Sequence, residues 1–101
     1  NPWIFSWRER SEVPTAEVYG LICYQYRAMQ PYYPNGAVLP FRKFLKAYLE
    51  PYALPNNRLQ AILTAKQEDQ LFKRIDHLFL ELGVLNLSAA RDAFELYMQN
   101  W

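Results

Sequence analysis

Residues 65–82 read AKQEDQLFKRIDHLFLEL. Leu71, Phe72, Ile75, Leu78, Phe79 and Leu82 recur at steps of three and four. At 100° per residue they occupy an arc of about 120°, the mark of a helix with one buried face. Gly83 stands where a helix end takes a left-handed residue. In front, Thr64-Ala65-Lys66-Gln67 has the form of a capping box, Thr64 as N-cap and Gln67 three places on. The pattern predicts a helix over 65–82 separated from what precedes it, with one bent helix over 58–82 as the alternative. Asp69 and Lys73 are spaced to pair at i, i+4.

Upstream, Pro55 follows Leu54, and Asn56 or Asn57 suits the cap of a short helix carrying Leu59, Ile62 and Leu63. Before that, Phe41, Phe44, Leu45, Tyr48 and Leu49 repeat at helical spacing, with Arg42, Lys43 and Lys46 assigned to the opposite side. Pro40 suits the first position of this helix and Pro51 stops it. Residues 31–36 (PYYPNG) form a turn-rich connector, open to a tight turn or very short hairpin at Asn35-Gly36. The first helix is expected over 15–29, with Thr15 as N-cap and Glu17 in its first turn. Val18, Leu21, Ile22, Tyr26 and Met29 make its stripe. Tyr19, Cys23 and Tyr24 widen it until little of the circumference is polar, which marks a central helix.

Downstream, Ser88 is expected to cap a last helix over 89–100, with Ala90, Phe94, Tyr97, Met98 and Trp101 as its stripe. No alternating run is long enough for a strand. The fold class expected is therefore all-α: a compact bundle of four main helices and one short one. Residues 1–101 are read as a single helical domain, with 1–13 an irregular aromatic strap carrying Trp3, Ile4, Phe5 and Trp7. Asn1 rather than Met opens the chain, the expectation for a domain of a longer protein.

Composition sets the function classes. Of the 101 residues 51% are apolar and 17% aromatic, and the net charge is +1, so the chain is neither disordered nor globally basic. One cysteine excludes an internal disulfide framework and CxxC metal sites, and a free Cys23 fits a reducing, cytoplasmic setting. The longest apolar run, residues 18–24, is far short of the ~20 residues that span a membrane. Catalytic constellations are equally sparse. The lone His77 lies on the polar side of its helix, and Cys23 lies on one expected to be buried. Asp92 and Glu95 could share a cation but have no Glu-x-x-His partner. Gly20, Gly36 and Gly83 are too scattered for a phosphate loop. No enzyme, cofactor or metal is expected.

Two surfaces remain. Leu80 lies about 180° from its helix's apolar stripe, and Leu96 is likewise off-stripe on the last helix. Two off-stripe leucines point to a second apolar contact, made either by the N-terminal Trp3–Trp7 segment folding across them or by another protein or another domain of the same protein, with Trp3 and Trp7 as further candidates. The expected function is a non-catalytic helical interaction domain within a larger protein or assembly. The alternative is a helical nucleic-acid-binding accessory domain. It would use Arg42, Lys43 and Lys46 with Tyr32, Tyr33, Tyr48 and Tyr52 close in sequence, and Arg27 or Arg58 as candidate neighbours.

Overall fold

The structure, a computed structural model, describes residues 14–99. They form five α-helices and no strand among the described residues: α1 (Thr15–Met29), α2 (Val38–Leu49), α3 (Asn56–Leu63), α4 (Glu68–Glu81) and α5 (Leu87–Gln99). Single 3₁₀ turns, Gln30–Tyr32 and Glu50–Tyr52, prolong α1 and α2. Both contain a proline, which ends the α-helical hydrogen-bond ladder but tolerates one tighter turn. The aromatic strap over 1–13, with Trp3 and Trp7, lies outside the described residues, as does Trp101.

Helix α1 is central. It packs on α5, α2 and α4, and Val18, Tyr19, Leu21, Ile22, Cys23, Tyr26 and Met29 are all buried along it. Aromatic rings fasten it to α2, α4 and α5. Tyr26 meets the edges of Phe41 and Phe72 at centroid distances of 5.1 and 5.0 Å, and Tyr19 meets Phe79 at 5.4 Å. Tyr24 meets Phe94 at 5.9 Å. Such tilted pairs contribute on the order of 1 kcal/mol each beyond area burial. Later residues of α1 meet later residues of α5: Gly20 lies against Ala90 and Phe94, and Arg27 pairs with Glu95. The two helices therefore run in the same sense.

The stripe on α4 is as predicted, with Leu71, Ile75, Leu78 and Phe79 buried and Phe72 and Leu82 half-buried. Its C-terminus is a Schellman motif. Gly83 has φ of 101°, its N–H donates to the Leu80 carbonyl at 3.1 Å, and Val84 N–H donates to the Phe79 carbonyl at 3.0 Å. Val84 is buried, which supplies the motif's hydrophobic contact.

Helix starts differ from expectation. Pro14, not Thr15, precedes α1, its carbonyl accepting from Glu17 and Val18 N–H. Helix α2 begins at Val38, two residues before Pro40. The proline is tolerated there because first-turn N–H groups have no helical partner. Pro55 rather than an asparagine precedes α3. The Thr64 capping box does not form. Thr64 is helical (φ −90°, ψ −2°) and closes α3, its hydroxyl donating to the Gln60 carbonyl at 2.7 Å. The extended residue Gln67 opens α4 instead, three places later than expected. Asn86, not Ser88, caps α5: its Oδ1 accepts from Ala89 N–H at 3.0 Å. In each case more than one capping-type residue, or a proline, lay within a turn of the start, and tertiary packing chose between them.

Candidate interaction surface

Helices α3 and α4 meet along an open groove of about 800 Å³. Its apolar floor comes from Ile62 and Leu78, both buried, and Ala61 and Leu80 complete the apolar lining. Leu80 is 52% exposed although Leu78 and Phe79 beside it are buried, which places it off the stripe as its wheel position predicts.

The walls are charged. Arg74 donates to the Ala61 carbonyl and so ties α4 to α3. Arg58 donates to Oε2 of Glu81, and His77 Nε2 lies 2.7 Å from Oε1 of the same carboxylate. Hydrogen bonding and charge from Arg58, with a smaller contribution from His77, hold Glu81 below the usual carboxylate range. Ion pairs this exposed add little stability. They do hold Arg58 and His77 at the groove. Lys73 also lines it. The i, i+4 pair that α4 closes is His77–Glu81, not Asp69–Lys73.

Asp76 is a residue whose role the wheel missed. Helical spacing puts it on the polar side of α4 with Lys73 and Leu80, yet it is half-buried and accepts a 2.6 Å hydrogen bond from the hydroxyl of the buried Tyr19. The contributions of Arg58, Ala61 and Ile62 were also out of reach, because wheel geometry on one helix cannot say which neighbour lies beside it.

Leu96 is 60% exposed, again as its position predicts, but it stands on α5 outside the α3–α4 groove. Trp3 and Trp7 lie outside the described residues. The basic face of α2 is narrower than expected. Arg42 is half-buried, and its Nη2 donates to the Ala65 carbonyl at 2.7 Å. The helix centres its buried face on Val38, Phe41, Leu45 and Leu49, which turns Arg42 inward and leaves Phe44 exposed at the other margin. Lys43 and Lys46 remain exposed, Lys43 with its ammonium 5.5 Å from the Phe44 ring centroid. Of the neighbouring tyrosines, Tyr32 and Tyr33 are exposed, whereas Tyr48 is half-buried and Tyr52 packs edge-on against Phe79. Arg27 and Arg58 are committed to Glu95 and Glu81.

Elsewhere the titratable groups have structural surroundings. Burial pushes the Cys23 thiol from its ordinary 9.0 up to about 11. It stands beside Tyr19, whose hydroxyl is also raised, first by burial and then by its bond to Asp76. A thiol so protonated is a poor nucleophile. The His77 side chain is 74% exposed. Among the described residues no three of His, Cys, Asp and Glu gather to hold a metal ion, and Glu95 is taken by Arg27. Among the described residues, no helix is long and apolar enough to cross a membrane. Comparison with protein-family models, curated proteins and solved structures finds no match to this chain.

Proposed function

We propose that this chain is a non-catalytic helical interaction domain, a single unit acting within a larger protein or assembly, and that the α3–α4 groove around Leu80 is its principal contact surface. The observation that carries this reading is the exposure of Leu80 beside an apolar floor in a concave, charge-walled setting. Interfaces of this kind place a large apolar anchor at the centre and a polar rim around it. Leu96, with Trp3 and Trp7, is proposed as a second apolar contact. The protonated Cys23 thiol and the exposed His77 support a non-catalytic role, and a free cysteine suits a reducing, cytoplasmic setting.

Affinity capture from the cells that make the protein, with and without nuclease, tests the reading. Nuclease-resistant protein partners should be lost with Leu80→Glu and kept with Lys43→Glu combined with Lys46→Glu. Nuclease-sensitive capture that follows the two lysines instead would favour an accessory nucleic-acid role for α2.

A further inference from the structure

Four of the ten residues lining the α3–α4 groove are basic or can become cationic (Arg58, Lys73, Arg74 and His77), whereas one is acidic. That one, Asp76, keeps its negative charge but turns Oδ1 to the Tyr19 hydroxyl of α1. With His77 neutral, as in the chain's net charge of +1, the lining carries three cations against one anion, a net +2 gathered in ten residues. Glu81, at the end of α4, offsets part of it through Arg58 and His77. Arg74 bonds only a neutral carbonyl there and keeps its full charge facing the groove, together with Lys73. Among the described residues no Phe, Tyr or Trp lines the groove, and its flat groups are the His77 imidazole and the Arg58 and Arg74 guanidinium planes. It therefore offers apolar contact from Leu80, Ala61 and Ile62, and Arg58 and His77, the latter its single aromatic ring among the described residues, are held by Glu81 rather than laid out as a row of stacking rings.

We infer that the occupant of this groove is an acidic peptide segment of a partner protein, with one large apolar side chain packed on Leu80 and Asp or Glu residues facing Lys73 and Arg74. The inference rests on the interaction reading above and adds the partner's chemistry. Complementary charge sets orientation and association rate, while the apolar anchor supplies residence time.

The test is selection of a random-sequence peptide library on the immobilised full chain, with the Leu80→Glu protein used to subtract peptides that do not need Leu80. Retained thermal stability shows that the subtracting protein is folded. Lys73→Glu, on the solvent side of α4, is the second variant. Survivors should carry Asp or Glu within a turn of a large apolar residue. A labelled survivor should lose at least about tenfold in affinity with Lys73→Glu and weaken as salt is raised. Neutral or basic survivors, no Leu80-dependent survivor, or displacement of the peptide by an oligonucleotide with the same Leu80 dependence would each overturn the inference. If protein capture still depends on Leu80 while the survivors are neutral or basic, the interaction reading stands and only the acidic partner falls. If capture also loses its Leu80 dependence, both fall.

Discussion

Phe94 of α5 packs directly on the backbone of Gly20 in α1: a Cβ built on Gly20 would stand 2.4 Å from the Phe94 Cβ and 3.1 Å from the Ala90 carbonyl oxygen. Neither neighbour is a flexible side-chain end. A methyl group there must push α1 and α5 apart. In an open helix, Gly→Ala gains about 1 kcal/mol. Here we expect Gly20→Ala to destabilise by about 1–3 kcal/mol, the usual cost of overpacking. Urea denaturation measures it. In a double-mutant cycle with Phe94→Gly, which removes both the Cβ and the Cγ that obstruct the new methyl group, the double variant should lose less than the two single losses added together. Stabilisation by Gly20→Ala alone would mean that the helices are further apart than described.

Phe79 and Leu80 are adjacent in sequence and opposite in role. Phe79 is fully buried, packs against Tyr19 and Tyr52, and lends its carbonyl to the Schellman motif. Truncation to Ala should cost about 3–5 kcal/mol. Leu80→Glu should change stability by no more than about 0.5 kcal/mol, as surface substitutions do. Thermal melts of the two variants side by side check this. A large loss from Leu80→Glu would place Leu80 in the core.

Alkaline pH should weaken the fold through α1. The Cys23 thiol is raised from 9.0 to about 11 by burial, and the Tyr19 hydroxyl is raised by burial and by Asp76. The folded chain therefore holds protons that the unfolded chain releases. The stability linked to Cys23 is intact below pH 9.0 and is lost as pH rises through about 11. Two pH units correspond to a loss of about 3 kcal/mol at most for that group. Urea midpoints from neutral pH to about 11 should fall, and Cys23→Ala should flatten the fall without abolishing it, since Tyr19 remains. Fast reaction of Cys23 with an aromatic disulfide in the folded protein near neutral pH would contradict its burial.

Arg42 should behave as a structural residue and its neighbours as surface ones. Its Nη2 holds the Ala65 carbonyl between α3 and α4, and its Nε is buried with no partner among the described residues. Arg42→Ala leaves the Ala65 carbonyl without that donor and should cost about 1–3 kcal/mol. Lys43→Ala and Lys46→Ala should each stay within about 0.5 kcal/mol of the parent. Denaturant midpoints of the three variants distinguish them, and a neutral Arg42→Ala would return that arginine to the solvated face of α2.

The all-helical class was legible because apolar residues on α1, α2 and α4 recur at helical spacing strongly enough to outweigh local ambiguity. The exposure of Leu80 and Leu96 followed from the same spacing. Helix starts were less legible. Thr15, Thr64 and Ser88 have the chemistry of N-caps, yet Pro14, Gln67 and Asn86 hold those positions, since capping contributes only about 1 kcal/mol and packing decides within a turn. Arg42 and Phe44 exchanged sides because they flank one apolar arc, and a wheel rotated by a fraction of a turn moves one in and the other out. The charged walls of the groove were not legible at all. They join Arg58 of α3 to Lys73 and Arg74 of α4, a neighbour relation that no single-helix pattern contains.

The central claim is that Leu80 touches a partner. A photo-reactive phenylalanine derivative placed at position 80, in protein whose melting temperature matches the parent, tests it directly. Irradiation in the cells that make the protein should yield a discrete protein adduct at position 80 that is absent when the same group replaces the solvent-exposed Lys46. Adducts of equal intensity at both positions, or none at 80, would contradict the account.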